Sequence, residues 1–134
     1  MEIEDWQRTT DDMTTVLGAV HDAADPSMFV IDDEDGNRLF FATDTETIPH
    51  KIDGITHLML ETNWSKFTID EGSSHIDRVK QTHQSLEEAV EWLREQDQSK
   101  LIEVHLIHLS DSNSNADFFE ETIAGIVGVP VYVH

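Results

Sequence analysis

Residues 101–115, LIEVHLIHLSDSNSN, constrain this chain more than any other stretch. Ile102, Val104, Leu106, Ile107 and Leu109 supply the apolar surface of a buried strand, and six polar residues at 110–115 then end it. An amphipathic helix follows from about Ala116, with Phe119, Ile123 and Ile126 or Val127 on one stripe and Gly128 as its natural C-terminal cap. A strand that feeds such a helix needs a sheet with a helix-covered face, which points to an α/β fold. Two histidines interrupt the strand. His108 stands where strand gives way to loop, a position suited to hold a metal or move a proton, whereas His105 reads as a strand residue packed or bonded locally.

The rest of the chain supplies the sheet. Strands are expected at residues 14–20 (TTVLGAV), 28–31, 38–42 (RLFFA), 55–60 and 129–133, where Pro130 argues for an edge or a strand start. Residues 32–37, DDEDGN, form a hairpin loop, because Asp35-Gly36 is a strong turn signal. Ser85 and Glu88 make an S-x-x-E capping box. Leu86, Ala89, Val90 and Leu93 then share one face of a helix that ends near Asp97. Residues 65–84 are polar and irregular, with a break at 72–74 and a helical turn near 76–80; residues 1–12 read as a frayed start. The sum is one domain over residues 1–134, a mixed sheet of about six strands with two main helices on one face.

Composition narrows the function. Cysteine is absent, so a metal must be held by His, Asp or Glu. Acidic residues number 28 against 8 basic ones, a formal charge of −20, and such a field repels phosphate backbones. Nucleic acid is therefore not an expected partner without a basic partner chain. The acidic surface fits adaptation to high salt, a docking face for a basic partner or mimic of nucleic acid, or simple solvation. No run of about 18 apolar residues exists for a membrane span, and the acidic start MEIEDWQRTTDD is no secretory signal, so a cytoplasmic address is expected. Trp6, Trp64 and Trp92 read as packing residues, and His57, His75 and His134 as surface histidines.

Ligand-capable groups recur just after apolar strands: His21 after TTVLGAV, Asp44 after RLFFAT, Glu61 after THLML, and His108 near the end of LIEVHLIHL; His83 precedes a helix. Strand ends on one side of an α/β sheet share a rim where such sites gather. Neutral imidazoles with a carboxylate suit zinc, manganese or iron.

Four segments in order, HDAADP at 21–26, FATDT at 41–45, THLMLETN at 56–63 and HLIHLS at 105–110, carry a resemblance. Together they resemble the C-terminal half of a metallo-β-lactamase-fold metallohydrolase, in particular the small bacterial and phage members related to exonucleases and ribonuclease Z. The resemblance implies half of an αββα sandwich. It also implies that His21 is the third metal-binding histidine, Asp44 the aspartate that bridges two metals, and His108 the last metal-binding histidine. His83, in His83-Gln84-Ser85, matches the catalytic histidine placed near the scissile phosphate as a general acid. Zinc or manganese at such a site would polarise a phosphoryl oxygen and acidify a water. Glu61 is expected to order the site through a hydrogen bond rather than to bind metal.

The departures shape the functional expectation. The family's His-x-His-x-Asp-His motif, which supplies most of the remaining ligands, is absent; Glu46 replaces the glycine after Thr-Asp-Thr, and Gln84 replaces an apolar residue. The remaining ligands would hold at most a single weakly bound ion. A lone half would also leave one apolar sheet face uncovered, which marks an interface. The expectation is a truncated or split metal-dependent phosphodiesterase-like hydrolase. It would be active only when completed by a chain carrying the N-terminal half or by a second copy in a homo-oligomer. The alternative is a non-catalytic acidic protein that docks a homologous enzyme or a basic partner.

Overall fold

In the computed structural model, strand β1 (Trp6–Arg8) pairs antiparallel with β2 (Thr14–Leu17), and β2 with β3 (Met28–Asp32). Residues 28–134 are described throughout; before them only the backbones of β1 and β2 are. β3 turns through Gly36, at φ 86°, into β4 (Arg38–Ala42). The turn is held by Asp33, whose carboxylate accepts from the backbone of Asp35 and Asn37 and from Asn37 Nδ2. From β4 onward the pairing is parallel, through β5 (His57–Glu61), β6 (Glu103–Ile107) and β7 (Val131–Val133). The result is a seven-stranded mixed sheet in sequence order. The strand beyond the expected six is β1, inside the stretch read as a frayed start. Three polar-flanked residues carry no periodic signal, so their strand is visible only through its pairing with β2.

Between β5 and β6 lie α1 (Ile76–Thr82) and α2 (Leu86–Glu95), and between β6 and β7 lies α3 (Ala116–Val127). The Ser85 hydroxyl caps α2 by accepting from Glu88 N at 3.1 Å, as its sequence predicts. Glu87 then reaches outward, accepting from Ser65 Oγ and Lys66 N, and so pins the loop after β5 to the start of α2. α3 is capped by Asn115, whose side-chain oxygen accepts from Phe118 N, and ends at Gly128, at φ 64°.

Alternation along the strands divides the sheet into two unlike faces. Met28, Val30, Phe40, Ala42, Leu58, Leu60, Val104, Leu106 and Val131 point into one core with Leu86, Ala89, Trp92 and Leu93 of α2 and Phe119, Ile123 and Val127 of α3. Phe40 packs 5.3 Å from Trp92, centroid to centroid, and its burial contributes on the order of 2–3 kcal/mol. The opposite face has no helix over it among the described residues. Cross-strand register lines up Phe29, Phe41, Met59, His105 and Tyr132 there, and beside them Ile31, Leu39, His57 and Glu103. All of these are half-buried or exposed. The open face expected for half a sandwich is apolar at Phe29, Ile31, Leu39, Phe41, Met59 and Tyr132 but polar at His57, Glu103 and His105.

Candidate metal centre

β4, β5 and β6 run parallel as neighbours, so their C-terminal ends open on one rim. Asp44 lies two residues past β4, Glu61 is the last residue of β5, and His108 is the first residue past β6. His83 reaches the same rim as the extended residue that ends α1. Asp44 and His108 both adopt the left-handed region, at φ 53° and 58°. That conformation is uncommon for residues other than glycine and concentrates at functional turns. It swings each side chain sharply away from its strand's line.

The four groups converge. One ligand-capable atom of each of Asp44, Glu61, His83 and His108 lies within 4.8 Å of all the others. His108 Nδ1 stands 2.6 Å from Glu61 Oε2 and 3.3 Å from Asp44 Oδ1. His83 Nδ1 stands 2.9 Å from the same Glu61 oxygen and 3.7 Å from Asp44 Oδ1. The two imidazoles meet edge to face, with centroids 4.8 Å apart. Thr43 Oγ1 adds a contact to His108 Nδ1 at 3.1 Å.

Glu61 is the inner wall of the cluster. Its side chain has no solvent exposure, while those of Asp44 and His108 are nearly half exposed. Burial pushes the Glu61 carboxyl up, but hydrogen bonds from His108 and His83 and their charges outweigh it and leave the group below its ordinary value. His108 moves the other way. Its hydrogen bond to Glu61, opposed by burial and reinforced by the charges of Glu61 and Asp44, raises it.

A further layer fixes this wall. Gln84, fully buried, donates its backbone N–H to Glu61 Oε1 and its side-chain amide to the Glu61 carbonyl. Asn63 Nδ2 donates to the His108 carbonyl at 2.8 Å, and Trp64 Nε1 to the His83 carbonyl at 3.1 Å. Asn63 N–H meets the Gln84 carbonyl, and Ser110 N–H meets Asn63's. The segments that carry Glu61, His83 and His108 are thus tied to one another by backbone.

Of the residues singled out in the sequence, Asp44, His83 and His108 come together. His21 lies outside the described residues. Glu61, expected only to orient its neighbours, places a carboxylate oxygen inside the convergent group. Glu46 is exposed and belongs to no such group among the described residues. His105 stays in its strand, bonded to Glu103 and His134 and stacked on Tyr132. His57 and His134, read as plain surface histidines, join that same network on the open face, His57 through Glu103 at 3.3 Å.

Two imidazoles and two carboxylates form a hard-to-borderline donor set that fits zinc, manganese or iron. Residues 1–106 match the family model described as the Beta-lactamase superfamily domain. Among solved structures, the metallo-beta-lactamase fold protein YhfI from Bacillus subtilis is similar over all of this chain and 51% of its own, with a TM-score of 0.66 and 14% identity. At that identity the likeness is one of fold. The chain spans about half the length of that protein. No curated protein matches. No helix among the described residues is long and apolar enough to cross a membrane.

Proposed function

This chain belongs to the beta-lactamase superfamily, and from that premise we propose that it carries one wall of a metal-dependent hydrolase site that a partner completes. The observation that carries the reading is the convergence of Asp44, Glu61, His83 and His108 on one rim of the parallel strands. Of the convergent groups, Asp44 and His108 would hold the metal, and His21, outside the described residues, is the further ligand that the resemblance implies. A divalent cation there supplies Lewis-acid polarisation of an ester and acidifies a water.

The chain's own groups do the rest. Glu61 Oε2 accepts from both imidazoles and so orients them. With Nδ1 of His83 turned to Glu61, its Nε2 is the nitrogen that can hand a proton to a departing alkoxide. The reaction class is hydrolysis of a phosphodiester or a related ester. The partner is a chain carrying the other half of the fold, or a second copy of this one. It lays a second sheet on the open face of Phe29, Phe41, Met59 and Tyr132.

Metal analysis of the purified protein tests the reading. Wild type is expected to retain zinc or manganese in proportion to chain, and His108→Ala and Asp44→Ala to lose it. Wild-type protein that stays metal-free after exposure to either ion overturns the reading.

A further inference from the structure

Beyond the metal centre, the same rim carries an aromatic hollow with a cation beside it. Phe67, Thr68, Asn115 and Phe118 line it. Phe67 is 72% exposed, an unusual cost for a phenylalanine, and meets Phe118 edge to face at 6.3 Å. Lys66 Nζ lies 5.0 Å from the centre of the Phe67 ring. The chain has only 8 basic residues against 28 acidic ones, so a lysine held over an exposed ring is a local exception to its field.

The hollow is built rather than incidental. Thr68 Oγ1 donates to the Asn113 carbonyl at 2.6 Å, and Asp70 N–H to Asn113 Oδ1 at 2.7 Å. Glu87 holds Ser65 and Lys66 from below. The two Asn113 bonds join the loop that follows Glu61 to the loop that follows His108. Phe67 lies six positions after Glu61, which limits their Cα separation to roughly 20 Å. The hollow and the metal centre therefore draw on the same pair of loops, those that follow β5 and β6.

We propose that the Phe67–Phe118 hollow with Lys66 is a substrate subsite for the planar aromatic ring, nucleobase or aryl, of a phosphate ester. The ring stacks on Phe67, and Lys66 attracts the anionic group next to it. This rests on the hydrolase reading for its consequence, but the binding itself does not need the metal.

The test is therefore run on metal-stripped protein. Adenosine 5′-monophosphate, phenyl phosphate, adenosine and ribose 5-phosphate are titrated by calorimetry or by chemical-shift perturbation. At least one of the two ring-bearing phosphates is expected to bind five- to tenfold more tightly than ribose 5-phosphate, and the tighter of the two identifies the ring as nucleobase or aryl. Phe67→Ala should weaken it about five- to tenfold or more. Lys66→Gln should weaken it at low salt and lose its effect at high salt. Both side chains are surface groups, and matching melting temperatures confirm that the variants fold. If neither ring-bearing phosphate outcompetes ribose 5-phosphate, the proposal falls. It falls equally if Phe67→Ala alters only the oligomeric state, because the hollow is then a protein interface.

Discussion

His108 Nδ1 lies 2.6 Å from Oε2 of Glu61, a carboxylate with no exposure to solvent. A buried carboxylate without donors would be neutral; this one has His108, His83 and the Gln84 backbone N–H around it. Its charge is thus a structural part of the rim. Glu61→Leu is expected to destabilise the protein by about 1–3 kcal/mol, because Gln84 N–H and both imidazoles lose their acceptor. Glu61→Gln should cost less in stability yet lower metal affinity about 10–100-fold, since an amide holds the imidazoles without charge. Denaturant melts and metal titration of the two variants check this. Equal metal affinity in Glu61→Gln and wild type would contradict it.

The two shifted groups give the metal-free protein a stability window. Glu61 titrates below its ordinary 4.5, so its contribution is present above that value and is lost as pH falls through the lower folded value. His108 titrates above its ordinary 6.5, so its contribution is full below 6.5 and is lost as pH rises through the higher folded value. Metal-free protein should therefore draw most from this pair between about pH 4.5 and 6.5. Metal binding needs unprotonated imidazole and should show the opposite trend, strengthening as pH rises. Melting curves with and without zinc, each compared with His108→Asn, measure both trends. A wild-type excess over His108→Asn that grows above pH 7 without metal would refute the assignment.

How far the sequence led depends on which forces decided each feature. β4 was read to the residue, because Asp35-Gly36 starts it and an apolar run fills it. The start of α2 is equally legible through Ser85, while its end at Glu95 falls short of the expected Asp97. Ile102 was not: it was expected inside a buried strand, yet it precedes β6 and is 51% exposed. Apolar character alone cannot tell a strand's interior from its approach. Asp44, His83 and His108 were legible as strand-end or helix-edge groups. The place of Glu61 was not, because it depends on the parallel register that sets Glu61 opposite Ile107 and so next to His108. The left-handed turns at Asp44 and His108 carry no glycine, the usual sign of such a turn.

Those turns lead to a prediction about strain. An L-residue in the left-handed region costs about 1–2 kcal/mol, less for aspartate than for alanine. Asp44→Gly should therefore be more stable than Asp44→Ala by about 1 kcal/mol, although both remove the same carboxylate and both should lose metal. Chemical denaturation of the two variants measures the gap. Equal stabilities would mean that the backbone at Asp44 relaxes out of the left-handed region once the carboxylate is gone.

The open sheet face makes the last prediction. Phe41 and Met59 are cross-strand neighbours on it, half-buried, with no helix above them among the described residues. In an isolated chain, Met59→Lys replaces a side chain that already meets water, so it should change stability by less than about 1 kcal/mol. In an assembly that covers this face, the same lysine would be buried without a partner, and association should fall by several kcal/mol. Leu58→Lys, one residue away on the helix-covered face, should instead unfold the chain, since Leu58 is 1% exposed in the core. Light scattering after size-exclusion chromatography, with melts of the three proteins, separates the cases. A wild type that is monomeric at micromolar concentration, alone and with a candidate partner, would count against a covered face. An associated wild type that Met59→Lys dissociates without lowering its monomer stability would place the interface on this side of the sheet.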